Sequence, residues 1–296
     1  MRKNIILVVN PISGDIDKAE LIASVMLFVE KENLNLVSYT TSGVADIVNI
    51  KALYETYKPE RIIVAGGDGT IKMVAEAMEK YNVILGILPA GSANGLAVDL
   101  NLPLTLEENL TIAFHNNYME IDMISINGKK SIHLSDLGLN AEMIKNYEKS
   151  SIRGIWGYFL QSFSTLIDLD DPFIATITGN FETIECVARM IVIANSKKYG
   201  TGISINPNGV MDDGKFELVI LKNLDLVILG KIITGNMPID SEDLEIISTD
   251  KATITTNVPV SFQIDGEYFG KKTKLNIEIL PKQMKVAIPN RIIEVI

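Results

Sequence analysis

Three apolar, β-branched runs, at residues 5–9, 61–65 and 83–88, each lead into a turn rich in Gly or Pro and then into polar sequence with helical periodicity. The first runs into Asn10-Pro11-Ile12-Ser13-Gly14, followed by a segment with Leu21, Ile22, Val25 and Val29 on one helical face. The second runs into Gly66-Gly67-Asp68-Gly69-Thr70, followed by a helix carrying Val74, Ala77 and Met78. The third runs into Pro89-Ala90-Gly91-Ser92, with a further helix expected around residues 106–114. Continuous apolar strands alternating with amphipathic helices predict a parallel sheet covered on both faces.

From about Ile121 the pattern changes to short alternating runs, at residues 173–178, 183–194, 216–221, 251–256, 260–264, 275–280 and 284–288. Turn residues separate them, as in Pro207-Asn208-Gly209 and Asp212-Asp213-Gly214. This texture predicts an antiparallel sandwich or open barrel. Helical segments are expected at 152–167 and 224–234. The fold class is therefore α/β plus β, with a 1–120 α/β domain and a 121–296 β-rich domain. The last strand is placed to fold back onto the first domain.

Composition narrows the function. The 296 residues are 47% hydrophobic and 22% charged, which suits a globular chain with a large core. A net charge of −10 argues against nucleic acid, whose binding needs clustered Lys and Arg, and against adsorption to an anionic membrane without a local patch. The single cysteine, Cys186, lies in a strand-like apolar run and reads as a core residue in a reducing compartment. His115 and His133 have no Cys or His cluster around them, so zinc is not expected. The apolar run at 5–9 is shorter than a signal peptide requires, and no stretch reaches the roughly 20 apolar residues of a membrane span. A soluble, cytoplasmic protein is expected.

The chemistry concentrates at residues 66–70. Consecutive glycines after a buried strand let the backbone approach a ligand, and the following helix presents N–H groups and the positive end of its dipole to phosphate. Asp68 adds a carboxylate suited to Mg²⁺ or to activation of a hydroxyl.

Gly66-Gly67-Asp68-Gly69-Thr70 resembles the signature shared by diacylglycerol kinases, sphingosine and ceramide kinases, and NAD kinases. Three further segments resemble the lipid kinases in particular: residues 10–14, the second loop Leu88-Pro89-Ala90-Gly91-Ser92-Ala93-Asn94-Gly95-Leu96-Ala97, and Asp265-Gly266-Glu267. They occur in family order along nearly the whole chain. The sequence is thus similar to the diacylglycerol kinase catalytic-domain family, and specifically to its bacterial lipid kinases.

That resemblance implies a Rossmann-like first domain, a β-sandwich second domain and a nucleotide site in the cleft between them. Gly66, Gly67, Asp68, Gly69, Thr70, Ile71 and Lys72 would hold ATP phosphates, with Ser92 in the second loop. Thr40 or Thr41 would line the nucleotide, and Asn10 and Ser13 would complete the phosphate or ribose contacts. Glu267 is implied as the general base, acting with Asp68. The relatives' structural Mg²⁺ maps to the Asp213 carboxylate with the carbonyls of Val210 and Lys215, and Asp122 matches an acidic position in the Mg²⁺ network. Asp122 also reads as a water-exposed strand-edge aspartate, and Asp213 as part of a solvated hairpin turn. Trp156, Tyr158, Phe159 and Phe163 read as packing residues of a helix that could also admit a lipid chain.

The implied activity is ATP- and Mg²⁺-dependent phosphorylation of a lipid hydroxyl, foremost diacylglycerol, at the inner face of the membrane and within phospholipid metabolism. Two departures bear on the acceptor. Diacylglycerol kinases usually carry an aspartate where Gly95 stands, whereas sphingosine and ceramide kinases have a small residue there. Asp15 follows Gly14 where relatives often place a basic residue, which leaves Lys18 to supply that charge. A sphingoid or ceramide kinase, an NAD kinase and a non-catalytic lipid- or nucleotide-binding regulator remain alternatives. A homodimer is compatible with the sequence, which points to no specific interface.

Overall fold

The computed structural model describes residues 2–14, 17–138, 171–180, 182–199, 203–223, 231 and 242–290. The chain divides into two compact units, Met1–Ile121 with Lys282–Ile296, and Asp122–Pro281.

The first unit alternates strands and helices in the order β1 (Asn4–Val9), α1 (Lys18–Lys31), β2 (Asn35–Thr40), α2 (Asp46–Tyr57), β3 (Arg61–Gly66), α3 (Asp68–Met78), β4 (Ile84–Pro89), α4 (Gly95–Asp99) and α5 (Leu106–His115). The strands pair in parallel in the order β2-β1-β3-β4. Ile5, Leu7 and Val9 of β1 and Ile63 and Ala65 of β3 pack with Leu21, Val25 and Val29 of α1 and with Phe114 of α5. Ile6, Val8, Ile62 and Val64, pointing the other way, are fully buried as well. Burial on both faces is why these strands are uninterrupted apolar runs rather than alternating ones. Asp17 starts α1 by accepting the Ala19 N–H at 2.8 Å.

The second unit is antiparallel. After β5 (Tyr118–Ile126), which begins in the first unit, it comprises β6 (Lys129–Ser131), β7 (Leu134–Gly138), β8 (Phe173–Thr178), β9 (Thr183–Ala188), β10 (Met190–Ala194), β11 (Lys198–Tyr199), β12 (Ile203–Ser204), β13 (Phe216–Leu221), β14 (Leu244–Thr249), β15 (Lys251–Ile264) and β16 (Glu267–Ala287). Its strands pair in the order β14-β13-β10-β7-β15, and β15 also pairs with β8 and β16. Leu137, Ile191, Ile193, Phe216, Leu218, Ile254, Phe262 and Leu275 form its core. The end of β16 returns to the first unit, where Lys285 and Val286 pair in parallel with Ile84 and Leu85 of β4.

The strand runs expected from sequence are present with different limits. Residues 183–194 form two strands split at Arg189, whereas 251–264 form one strand with register shifts between Thr255 and Val260 and between Ser261 and Gln263. β2 and α2 have no counterpart in the sequence reading. β2 is the outer strand of its parallel set and half-exposed, and its mixed polar and apolar residues form neither an apolar run nor a strict alternation. The helices expected at 152–167 and, save Lys231, at 224–234, with the four aromatic residues of the first, lie outside the described residues. Among the described residues no helix is long and apolar enough to cross a membrane.

Candidate functional site

The parallel order β2-β1-β3-β4 means that the chain leaves β1 in one direction, to β2, and returns past it to β3. β1 and β3 therefore flank a topological switch point, the place where open α/β sheets leave a crevice beyond the carboxyl ends of their strands. The loop after β1 carries Asn10, Ser13 and Gly14, and that after β3 carries Gly67 and Asp68. The loop after β4 carries Gly91 and Ser92.

These three loops touch through their backbones. A Cβ on Gly91 would lie 2.4 Å from the Gly67 Cα, and one on Gly14 would lie 2.8 Å from the Gly91 carbonyl carbon. Gly14 also has φ +55°, which glycine adopts without strain. A Cβ on Gly69, by contrast, would meet nothing within 4 Å. Gly67 is the N-cap of α3 and supplies no side chain to its first-turn N–H groups. The result is an uncapped helix N-terminus with a side-chain-free approach, the chemistry of a phosphate site.

Side chains lock the loops together. Asn10 Nδ2 donates to Thr70 Oγ1 at 3.0 Å. Ser13 Oγ lies 3.1 Å from the Asn10 carbonyl oxygen and 2.9 Å from that of Ala90. Lys18 Nζ donates to the carbonyls of Ser13 at 2.6 Å and Ala90 at 3.0 Å, so the positive charge at this loop is committed to bridging two loops. The Asp68 carboxylate accepts the N–H groups of Gly95 at 2.8 Å and Leu96 at 3.0 Å, where α4 begins. Asn94 closes its own turn, accepting from the Gly91 N–H at 2.8 Å and donating to the Gly91 carbonyl at 2.9 Å.

The remaining nucleotide candidates sit at the same strand ends. Thr40 ends β2 and is exposed, and the Thr41 N–H donates to the Val9 carbonyl at 2.9 Å. The loop beyond them is held by Asp46, which accepts from the Ser42 N–H at 3.0 Å, the Gly43 N–H at 2.8 Å and the Tyr39 hydroxyl at 2.6 Å. Those hydrogen bonds, the tyrosine's foremost, hold the Asp46 carboxyl below its ordinary value against the opposing effect of burial. Thr70 and Ile71 are buried in the first turn of α3, Lys72 is half-buried beside them and Ser92 is exposed. The Asp46 contacts are local, within seven residues, whereas the bridge from Lys18 to Ala90 spans 72 residues and leaves no motif in the sequence.

In the second unit Asp265 and Gly266 form a two-residue hairpin turn with φ +48° and +86°, closed by the Ile264–Glu267 pair. Glu267 is exposed as the first residue of β16. Asp122 is buried, contrary to a water-exposed strand edge, and its Oδ2 accepts the Gly214 N–H at 2.7 Å. The turn it grips holds Val210, Asp213 and Lys215, with the Lys215 N–H donating to Asp213 Oδ1 at 3.0 Å. Among the described residues no three His, Cys, Asp or Glu side chains gather as a metal cluster. A site here would rest on one or two carboxylates with backbone carbonyls, an all-oxygen set that fits Mg²⁺ retaining several waters.

Residues 4–126 match the family model of the diacylglycerol kinase catalytic domain, and residues 138–288 match that of the YegS C-terminal NAD kinase beta sandwich-like domain. The protein named "Probable lipid kinase YegS" of Escherichia fergusonii is 30% identical over 238 residues, 77% of this chain and 78% of the relative. A Staphylococcus saprophyticus protein named diacylglycerol kinase is 26% identical over 301 residues, 99% of this chain and 97% of its own. A crystal structure of a diacylglycerol kinase from Bacillus anthracis superposes with a TM-score of 0.77 at 18% identity, covering 98% of each chain, and so shares the fold. A parallel α/β unit with this loop set, joined in sequence to a β-sandwich-like unit, defines the class of the lipid kinases. The chain belongs to the diacylglycerol kinase catalytic-domain family and is a kinase.

Proposed function

We propose that the protein transfers the γ-phosphoryl group of ATP to a lipid hydroxyl, with diacylglycerol as the acceptor. The observation that carries this reading is the meeting of Gly14, Gly67 and Gly91 at the switch point, beside the uncapped N-terminus of α3. Backbone N–H groups of residues 67–69 would bind the phosphates beside Thr70, whose N–H donates to the Gly67 carbonyl, with Asn10 and Ser13 holding the loops in place. Thr40 or Thr41, Lys72 and Ser92 would complete the nucleotide contacts. Glu267 would accept the acceptor's hydroxyl proton, because phosphoryl transfer needs positioning and a proton acceptor more than covalent help. Mg²⁺, when bound, would neutralise charge on the transferred group. Asp122 and the Asp213 turn would hold a second, structural ion. The enzyme would act on its lipid as a peripheral visitor to the membrane surface.

The test is a radiolabelled ATP assay with diacylglycerol, monoacylglycerol, sphingosine, ceramide and undecaprenol in mixed micelles, and with NAD. The NAD arm is included because the C-terminal model is described as NAD kinase-like. Mg²⁺-dependent labelling of diacylglycerol, abolished in Glu267→Gln, is expected. Labelling of NAD or sphingosine in its place would overturn the acceptor, and full turnover by Glu267→Gln would remove that residue from the mechanism.

A further inference from the structure

The turn that carries Glu267 is held more firmly than a hairpin requires. An Asp-Gly pair with both residues at positive φ already closes a two-residue hairpin by itself. Here two further sets of hydrogen bonds grip it from the surrounding sheet. The Asp265 carboxylate accepts from Ser131 Oγ at 2.8 Å and from the N–H groups of His133 at 3.0 Å and Ile132 at 3.1 Å. The Asp265 N–H donates to the Leu134 carbonyl at 3.0 Å. On the other side the Gly266 N–H, a group that commonly faces water in such a turn, donates to Gln263 Oε1 at 2.7 Å.

Gln263 is only 1% exposed, and its Nε2 donates to Asp136 Oδ2, on a carboxylate that is fully buried. This arrangement fixes the polarity of the amide. The Gly266 N–H can only donate, so the amide must turn its oxygen toward Gly266 and its NH₂ toward Asp136. Burying a glutamine in one rotamer costs side-chain entropy that a hairpin folding on its own does not require.

We propose that Gln263, oriented by Asp136, is a positioning residue that fixes the 265–266 turn and thereby the carboxylate of Glu267. The inference rests on Glu267 being the base. Displacing a reacting group by about 1 Å can cost on the order of a hundredfold in rate, so the loss of one anchor should appear in turnover.

The near-isosteric change Gln263→Met keeps the length of the side chain and removes both of its hydrogen bonds. It should lower kcat for lipid phosphorylation by about tenfold or more, with the KM for ATP changed by less than about twofold. Gln263→Glu, which can share a proton with the buried Asp136 carboxyl and still turn an oxygen toward the Gly266 N–H, should stay within about threefold of the parent. A purely structural role would lower the folded fraction and leave kcat per folded molecule unchanged, so melting curves accompany each assay. Parent-like kcat in folded Gln263→Met, in a protein that Glu267→Gln inactivates, overturns the inference. Turnover surviving in Glu267→Gln removes instead the reading it rests on. Should Gln263→Met fail to fold, Gln263→Asn, one methylene too short for both contacts, decides: folded but slow supports the proposal, and parent-like kcat overturns it.

Discussion

The Asp68 carboxylate accepts two backbone N–H groups, from Gly95 at 2.8 Å and Leu96 at 3.0 Å, and so ties the β3 loop to the start of α4. A residue expected to face phosphate or metal is thus also the fastener of the second loop. Hydrogen bonds to a charged group each contribute about 1.5–3 kcal/mol. Two such bonds total about 3–6 kcal/mol, and discounting for the half-exposed carboxylate, Asp68→Ala should lose about 2–4 kcal/mol of stability in urea unfolding, whatever it does to turnover. Asp68→Asn should lose less, since its amide oxygen can still accept one of the two N–H groups.

Gly91 and Gly69 make opposite demands. Gly91→Ala drives a Cβ into the Gly67 backbone and should destabilise by about 1–3 kcal/mol in thermal unfolding. Gly69→Ala meets no neighbour and replaces a helical glycine, which should stabilise the fold by up to about 1 kcal/mol. On the phosphate reading that same methyl group obstructs the ligand and should raise the KM for ATP. A more stable protein with weaker ATP binding is the expected pairing, read from melting curves and initial rates.

The Asp46–Tyr39 contact should mark the pH dependence of stability. The Asp46 carboxyl, held below its ordinary 3.8 chiefly by the Tyr39 hydroxyl, contributes stability that is fully present above that value. The contribution is lost as pH falls through the lowered value of the folded state. The Tyr39 phenol, raised above its ordinary 10.0 by burial and then by Asp46, contributes stability below that value and loses it as pH rises through its raised value. Stability measured in denaturant across pH should therefore weaken at both extremes. Asp46→Asn should flatten the acid limb, and an acid limb unchanged by that substitution would show that other carboxylates control it.

Cys186 is buried, and its thiol is pushed above the ordinary value by burial foremost and by Glu245 next. The thiolate is the reactive form, so the native protein should resist thiol reagents at neutral pH. Labelling with a chromogenic disulfide should be slow in buffer and stoichiometric in denaturant. Rapid labelling of the folded protein would place Cys186 in a segment that opens locally.

The two-part architecture was legible because each half announces its own periodicity. Runs such as 5–9 and 61–65 are apolar throughout because both of their faces are covered, and alternating runs such as 173–178 have one face in a core. β2 and α2 escaped notice for the converse reason, since an outer half-exposed strand and a weakly amphipathic helix imprint little on a sequence. The single long β15 read as two strands because its bulge interrupts the alternation that marks a strand.

Residues 66–70 and Asp265-Gly266 were legible for a different reason. Their backbone requirements are local, and few residue types meet them. By itself, then, the sequence determined the strand and helix faces, the glycine-bearing turns and the family to which they belong. Tertiary structure alone decided that β1 and β3 flank a switch point, that Asp68 fastens α4, that Asp122 is buried on the Gly214 turn, and that Gln263 joins Asp136 to the turn before Glu267. Local preference acts over a few neighbouring residues, whereas these pairings join positions 27, 92 and 127 residues apart in the chain. Only the burial of apolar surface within each unit brings such groups within hydrogen-bonding distance.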